Sequence, residues 1–411
     1  MAAKSKLRIL VAHNRYRYLG GEDSVMHAEV EMLRSAQHPV ALLQADNREI
    51  DGTLAKIAAA GSLFHSASSN RKFAELLQTF QPDILHIHNW LPQLSPSIIG
   101  MAASAGVPVV QTLHNFRMLC ANGILYRNGR VCRDCIGKRF PLAPALHGCY
   151  ASSRVGSALV SAAFAYHRVA NTWQGVSSFI ALSEFQRSLL IAGGIPPARI
   201  VIKPNFIRAA GGPGDGRGGY ALFAGRLTPE KGIRTALDAW ERNQISIPLR
   251  IMGDGPLLAE VRERAARHPQ IDYLGQRSPA FVSAAMAEAR FLLFPSEWYE
   301  PFALTVVEAF SRGTPVLAAN LESISELVRP GLTGLHFKPG DAADLSAKAS
   351  LLVADTPAYL RMRECCRSTY EQRYTAPINY QLLMSIYQRA STSARAQTLG
   401  NEAQQLEQVH S

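Results

Sequence analysis

Short aliphatic runs recur along the 411-residue chain, each followed by a turn and then by apolar positions three and four apart. LRILVA (7–12) reads as a buried strand and YLGGED as a glycine turn. In SVMHAEVEMLRSA, Val25, Ala28, Val30, Met32 and Leu33 lie near helical spacing. The alternation returns in HPVALLQ, PDILHIH and VPVVQTLH. It closes the first half in SSFIALSEFQRSLLIAGGIPPARIVIKPNFI: FIALS is a strand, EFQRSLLIA a helix, GG its terminator and ARIVIKPN a return to the sheet. Such alternation predicts a parallel sheet covered on both faces.

The rhythm stops at GGPGDGRGG (211–219), where six of nine residues are glycine, and a flexible linker is expected there. It restarts in YALFAGR, TALDAWE, PLRIMGDG, IDYLG, FLLFPSE and PVLAAN. The expected fold is therefore α/β, with two Rossmann-like, doubly wound parallel-sheet domains facing a cleft. The domains fall at 1–207 and 220–375, with 208–219 as linker and 376–411 as a terminal segment whose polar Gln/Ser-rich end frays.

Composition adds the partners. Apolar residues make 47% and charged residues 18%, a globular mixture. No stretch reaches the roughly 18 apolar residues of a membrane-spanning helix. MAAKSKLRILVAH places basic residues before a short apolar run, but Arg8 interrupts it and no small-residue cleavage site follows, so a first strand is expected there. The net charge of +11 is uneven, with 21 Lys/Arg against 11 Asp/Glu up to Ile207 and 22 against 21 beyond. A basic first half suits an anionic membrane or a phosphate-bearing substrate; charge alone also admits nucleic acid.

Three strand-to-helix loops carry candidate chemistry. At Gly20–Gly21 the absence of side chains lets backbone amides approach an anion at a helix start, although paired glycines also simply make turns. In GRLTPEKGI (225–233), Arg226 and Lys231 follow a strand and can grip both phosphates of a diphosphate without a metal. In EPFALTVVEA (300–309), Pro301 suits a helix start, and the amides of Phe302, Ala303, Leu304 and Thr305 point out of its positive end. Glu300 would accept from sugar hydroxyls and Glu308 from a ribose diol; the plain alternatives are a capping acid and a solvated one.

Together these motifs resemble the retaining nucleotide-sugar glycosyltransferases of the GT4 family, which have the two-domain GT-B fold. The residues that carry the resemblance are GRLTPEKG (225–232), GDGP (253–256), PSEWYEPFALTVVEA (295–309), PN (204–205), GG (20–21), HIHN (86–89) and TLHN (112–115). It spans about residues 7 to 390. The resemblance implies that Arg226 and Lys231 hold the donor diphosphate, Glu300 the donor sugar and Glu308 the nucleotide ribose. Gly20, Gly21 and residues 302–305 would complete that site, with Asn205 and Asp254 beside the donor and His114 near the sugar's outer hydroxyls. It also implies a terminal helix returning toward the first domain, a UDP- or GDP-sugar donor, and a glycan or lipid-linked acceptor. No nucleic-acid partner and no catalytic cofactor are expected. One departure is Ala303, where the family usually has glycine; alanine requires an ordinary backbone there. A nucleotide-sugar epimerase and a non-catalytic glycan- or nucleotide-sugar-binding protein are the alternatives. No Gly-x-Gly-x-x-Gly follows the first strand, which argues against a nicotinamide enzyme.

Cys120, Cys132, Cys135 and Cys149 cluster around a basic stretch and offer a structural zinc site, reduced thiols or redox bonds. A cytosolic chain disfavours disulfides. VGSALVSAAFAY (155–166) is either a core helix or an interfacial one beside the basic loop, which would place the protein at the inner membrane face.

Overall fold

The computed structural model describes residues 6–17, 20–209, 211–242, 244–354 and 356–409, the last without side chains beyond 392. In chain order its strands are β1 (Ile9–Arg15), β2 (Val40–Asp46), β3 (Ile84–Asn89), β4 (Val109–Thr112), β5 (Tyr126–Arg127), β6 (Arg130–Val131) and β7 (Val176–Ala181). There follow β8 (Ile200–Ile202), β9 (Ala221–Ala224), β10 (Leu249–Met252), β11 (Ile271–Gly275), β12 (Phe291–Phe294), β13 (Val316–Ala319) and β14 (Gly334–Phe337).

One six-stranded sheet has the order β2-β1-β3-β4-β7-β8 and the other β11-β10-β9-β12-β13-β14. Every pairing in both is parallel. Parallel strands need helical crossovers that cover both faces, so central strands are buried on both sides. That is why β3 and β12 are buried along their whole length. The chain divides into two compact units: Met1–Gly123, Asp134–Pro204 and Tyr380–Ser411 form one, Ile124–Arg133 and Asn205–Asn379 the other.

Three features depart from the sequence pattern. β14 carries only GLHF and opens on a glycine, so its strand signal is weak. The glycine is required, because a Cβ at Gly334 would lie 1.9 Å from the Val316 carbonyl oxygen. β5 and β6 form an antiparallel hairpin of two-residue strands, too short to read from periodicity. The polar tail does not fray at 390: a helix runs from Ala376 to Val409, in keeping with its Ala, Gln, Glu and Leu content. Tyr380 and Tyr387 of that helix reach His38 (3.0 Å) and His86 (2.7 Å) through their hydroxyls, in the first unit.

The glycine-rich stretch is likewise no free spacer. The amides of Gly214, Gly216 and Gly218 donate to the carbonyls of Arg312, Ala287 and Glu288 at 2.9, 3.1 and 2.8 Å. Arg363 donates to the Gly214 carbonyl at 2.6 Å. Glycine serves close approach here: a Cβ at Gly214 would stand 2.0 Å from the Ala287 oxygen, whereas one at Gly212 meets nothing within 4 Å. Gly214→Ala should therefore destabilise the second unit by about 1–3 kcal/mol, with Gly212→Ala near neutral, as read by urea denaturation. Equal midpoints for the two variants would show that the strap is not packed.

Candidate functional site

The second unit is built around β9. Its neighbours are β10 on one side and β12 on the other, so the strand order reverses there. Open α/β sheets bind ligands at such a switch, beyond the carboxyl ends of the strands. The loops leaving these strands are laced by backbone bonds: Leu227 donates to the Asp254 carbonyl (2.9 Å) and Glu297 to that of Glu230 (2.8 Å). Glycines allow this closeness. A Cβ at Gly253 would lie 1.8 Å from the Gly225 oxygen, and one at Gly232, where φ is +67°, 1.9 Å from the Pro295 oxygen.

Side chains converge on Glu300, which is buried. Its Oε1 accepts from Lys231 Nζ, from Ser296 Oγ at 3.0 Å and from Trp298 Nε1 at 2.8 Å. Its Oε2 accepts from no described residue, which leaves a fixed carboxylate oxygen for another donor. Lys231 also sits 5.4 Å from the Trp298 ring and 5.9 Å from that of Phe294. Arg226 is exposed and pairs with no acid among the described residues.

The helix Leu304–Ser311 starts behind Ala303, whose φ of −89° is the ordinary geometry expected of alanine. Val306 and Val307 donate back to the Ala303 carbonyl. The amides of Phe302, Ala303, Leu304 and Thr305 have no partner among the described residues, as at any uncapped helix start. Glu308 lies on the same helix, half-buried, and burial raises its carboxyl pKa. Asp254 is exposed, its Oδ1 accepting from the Gly255 amide at 2.7 Å. Asn205 is buried, and its Oδ1 has no partner among the described residues.

The hairpin of β5 and β6 supplies residues that no motif announced. The Arg133 guanidinium lies 4.9 Å from the Tyr299 ring centre, donates to the Tyr299 hydroxyl at 2.6 Å and pairs with Glu322. Burial, with Glu297 and Glu230 nearby, raises the Tyr126 phenol pKa. The aromatic pair Trp298–Tyr299 ahead of Glu300 was the available signal.

In the first unit the Gly20–Gly21 loop differs from expectation. The Gly20 amide is not open, because Asp23 reaches back from the first turn of the helix Gly21–Ser35 and accepts it at 3.0 Å. A carboxylate already occupies the helix's positive end. The other Asp23 oxygen meets His13 Nε2 at 2.9 Å, both side chains being buried.

His114, just past β4, meets His88 Nδ1 through its Nε2 at 2.9 Å. His86 and His88 share one face of β3, two residues apart. Behind them Glu29 lies 3.2 Å from His86 and 3.4 Å from His88, and bonds Lys203 at 2.7 Å. Burial holds the His88 pKa near 3, with His86 adding to the effect, and it depresses that of His114 well below the usual histidine range. Glu29, His86 and His88 are the one group of three potential ligand atoms within 4.8 Å among the described residues. The four cysteines form no such group; Cys132 belongs to the second unit's hairpin segment and the other three to the first unit.

Residues 20–205 match the family model described as "Glycosyl transferase 4-like domain", and 213–369 that described as "Glycosyl transferases group 1". The chain belongs to the GT-B glycosyltransferases. This glycosyltransferase is 26% identical to the glycogen synthase of Mycobacterium tuberculosis over 310 residues, 74% of the chain and 67% of the relative. It is 35% identical over 137 residues to O-antigen chain mannosyltransferase B of Escherichia coli, 31% of the chain and 35% of that relative. Anabaena Alr3699/HepE, solved in complex with UDP and glucose, superposes with a TM-score of 0.62 at 19% identity, covering 92% of this chain and 99% of that one. Sucrose-phosphate synthase from Thermosynechococcus elongatus gives 0.69 at 16%, covering 94% and 100%. At these identities the two structures share the fold.

The buried histidines set a pH dependence in the glycosyltransferase. Below the ordinary histidine pKa of 6.5 the unfolded chain binds a proton at His88 that the folded one refuses until about pH 3. Stability is therefore present above 6.5 and lost as pH falls through that window, at about 1.4 kcal/mol per pH unit for one group. His88→Leu should flatten the fall in urea midpoint between pH 7 and pH 5; an unchanged slope would contradict a neutral buried His88.

Proposed function

We propose that this glycosyltransferase moves a hexosyl group from a UDP- or GDP-sugar to a hydroxyl of a glycan or lipid-linked acceptor, with retention of the anomeric configuration. The observation that carries the proposal is the assembly at the ends of β9 and β12. There Lys231 is tied to Glu300, Arg226 stands on the same loop as Lys231, and four amides open at one helix start. Arg226, Lys231 and the 302–305 amides hold the diphosphate and neutralise charge on the departing nucleotide, so that no metal is needed. Glu300 Oε2 accepts from a sugar hydroxyl and Glu308 from the ribose diol, whose donors replace water around a half-buried carboxylate. His114 serves the sugar's outer hydroxyls.

No carboxylate in these loops is placed as a nucleophile, which favours attack on the face the leaving group departs from. The C1–O bond to phosphate breaks with its electron pair going to the phosphate oxygen, and the acceptor oxygen bonds C1 on that face. The acceptor proton passes to the departing phosphate. Turnover of UDP- and GDP-sugars tests this: Lys231→Ala should lower kcat roughly 10²–10³-fold. Near-normal kcat would remove Lys231 from the phosphate site.

The acceptor reading rests on a basic, apolar surface of the first unit. Phe140, Leu142, Leu146 and Val155 are 60–73% exposed, with Lys138, Arg139 and Arg154 exposed among them. The short helix Ala143–His147 packs on the helix Arg154–Val169, whose other face is buried at Val160, Ala163 and Phe164. Exposed apolar side chains ringed by cations suit the inner face of an anionic bilayer. No helix among the described residues is long and apolar enough to cross one. Leu142→Ser/Leu146→Ser should reduce co-sedimentation with anionic liposomes, and the remaining binding should fall with salt. Equal binding to neutral and anionic liposomes would refute the membrane assignment.

A further inference from the structure

Glu29, His86, His88 and Lys203 form a deeply buried polar cluster in the first unit to which no role has yet been given. All four side chains are at most 1% exposed. They come from three separate places: Glu29 from the helix Gly21–Ser35, the histidines from β3, and Lys203 from just past β8. A fold that needed only packing there would fill the space with aliphatic residues at no loss of stability.

A metal ion is one occupant for such a cluster, and two details oppose it. Lys203 Nζ, 2.7 Å from Glu29 Oε2, already supplies a positive charge. Both nitrogens of His86 are engaged, Nδ1 by the Tyr387 hydroxyl at 2.7 Å and Nε2 by Thr112 Oγ1 at 2.8 Å.

His88 points to another use. Its Nε2 faces Glu29 Oε1 at 3.4 Å, an oxygen that also lies 3.2 Å from His86 Nδ1. Both Glu29 Oε1 and His88 Nε2 are buried without a closed hydrogen bond among the described residues, so that each is the other's available partner. Its Nδ1 faces His114 Nε2 at 2.9 Å, with the two rings within 14° of parallel. Beside Lys203 and two histidines, Glu29 is held ionised, its pKa well below the ordinary value despite burial. A carboxylate only accepts, so the His88 nitrogen that faces it carries the proton. The other His88 nitrogen then has a lone pair, and the proton between the two rings must belong to His114 Nε2.

We propose that Glu29 and His88 are positioning residues that fix the tautomer of His114. Proton on Nε2, His114 presents the Nδ1 lone pair as an acceptor. Its ring lines a small cavity with Asn89, Trp90, Asn115, Arg117 and Phe164. A group so fixed selects a hydroxyl that donates. This rests on the reading of His114 as a sugar contact for its use in catalysis, but not for the tautomer itself.

The test is long-range 1H–15N spectroscopy of the full chain labelled at histidine, with the His114 signal assigned by its loss in His114→Asn. In the wild type, His114 should carry its proton on Nε2. In Glu29→Gln/Lys203→Met, which removes both charges, the amide can donate to His88 and the relay should reverse, moving the proton to Nδ1. In His88→Leu, which keeps the buried ion pair, both tautomers should appear. Both folded variants should lose about tenfold in kcat, the weight of one misaligned hydrogen bond, with donor KM little changed. A wild-type His114 protonated on Nδ1, or an unchanged Nε2–H form in either folded variant, would overturn the relay. Full activity in His114→Ala would instead dismiss the sugar contact while leaving the spectroscopic result to decide the relay.

Discussion

Backbone packed against backbone at the carboxyl end of β9 is the constraint on which the second unit's site depends. Gly253 against Gly225 and Gly232 against Pro295 leave no room for a side chain between neighbouring loops. With the loops that close, Lys231 from one and Glu300 from another meet directly, and Trp298 and Ser296 lock the same carboxylate oxygen. Displacement of either loop by an ångström would separate the charges whose joint position the chemistry needs.

The first unit solves a different problem. It encloses a carboxylate, an ammonium group and histidines where water is excluded, at a desolvation cost of several kcal/mol per ion. Mutual pairing offsets part of that cost, and the helix Ala376–Val409 contributes the Tyr387 hydroxyl to the same cluster. Order within such a network comes from the few complementary neighbours each buried polar atom can reach, which suits orientation better than it suits stability.

Much of the fold was legible in the chain because parallel strands buried on both faces leave continuous aliphatic runs. LRILVA, PDILHIH and FLLFPSE all fall on strands. The misses share a cause in glycine, which reads as freedom when it marks contact. GGPGDGRGG looked like a loose spacer and is laid against Ala287 and Glu288; Gly334 hid a strand. At the site, Arg226, Lys231, Glu300 and the 302–305 turn were readable because each follows a strand end. The Asp23 cap on Gly20 was not, since a carboxylate three positions on serves equally as a surface charge. HIHN shows that two histidines share a face, but nothing in it points to Glu29 or Lys203, which are 57 residues before and 117 residues after His86.

The hairpin of β5 and β6 bears on how such a protein can be divided. Residues 124–133 are counted with the second unit while the chain on either side belongs to the first, and the helix from Ala376 passes from one unit's residues into the other's. The polypeptide therefore changes allegiance at four points in its length instead of one. Recombination that joined a foreign first half at residue 205 would strand Tyr299 and Glu322 without Arg133. Neither unit of this chain is a cassette that a single seam would separate.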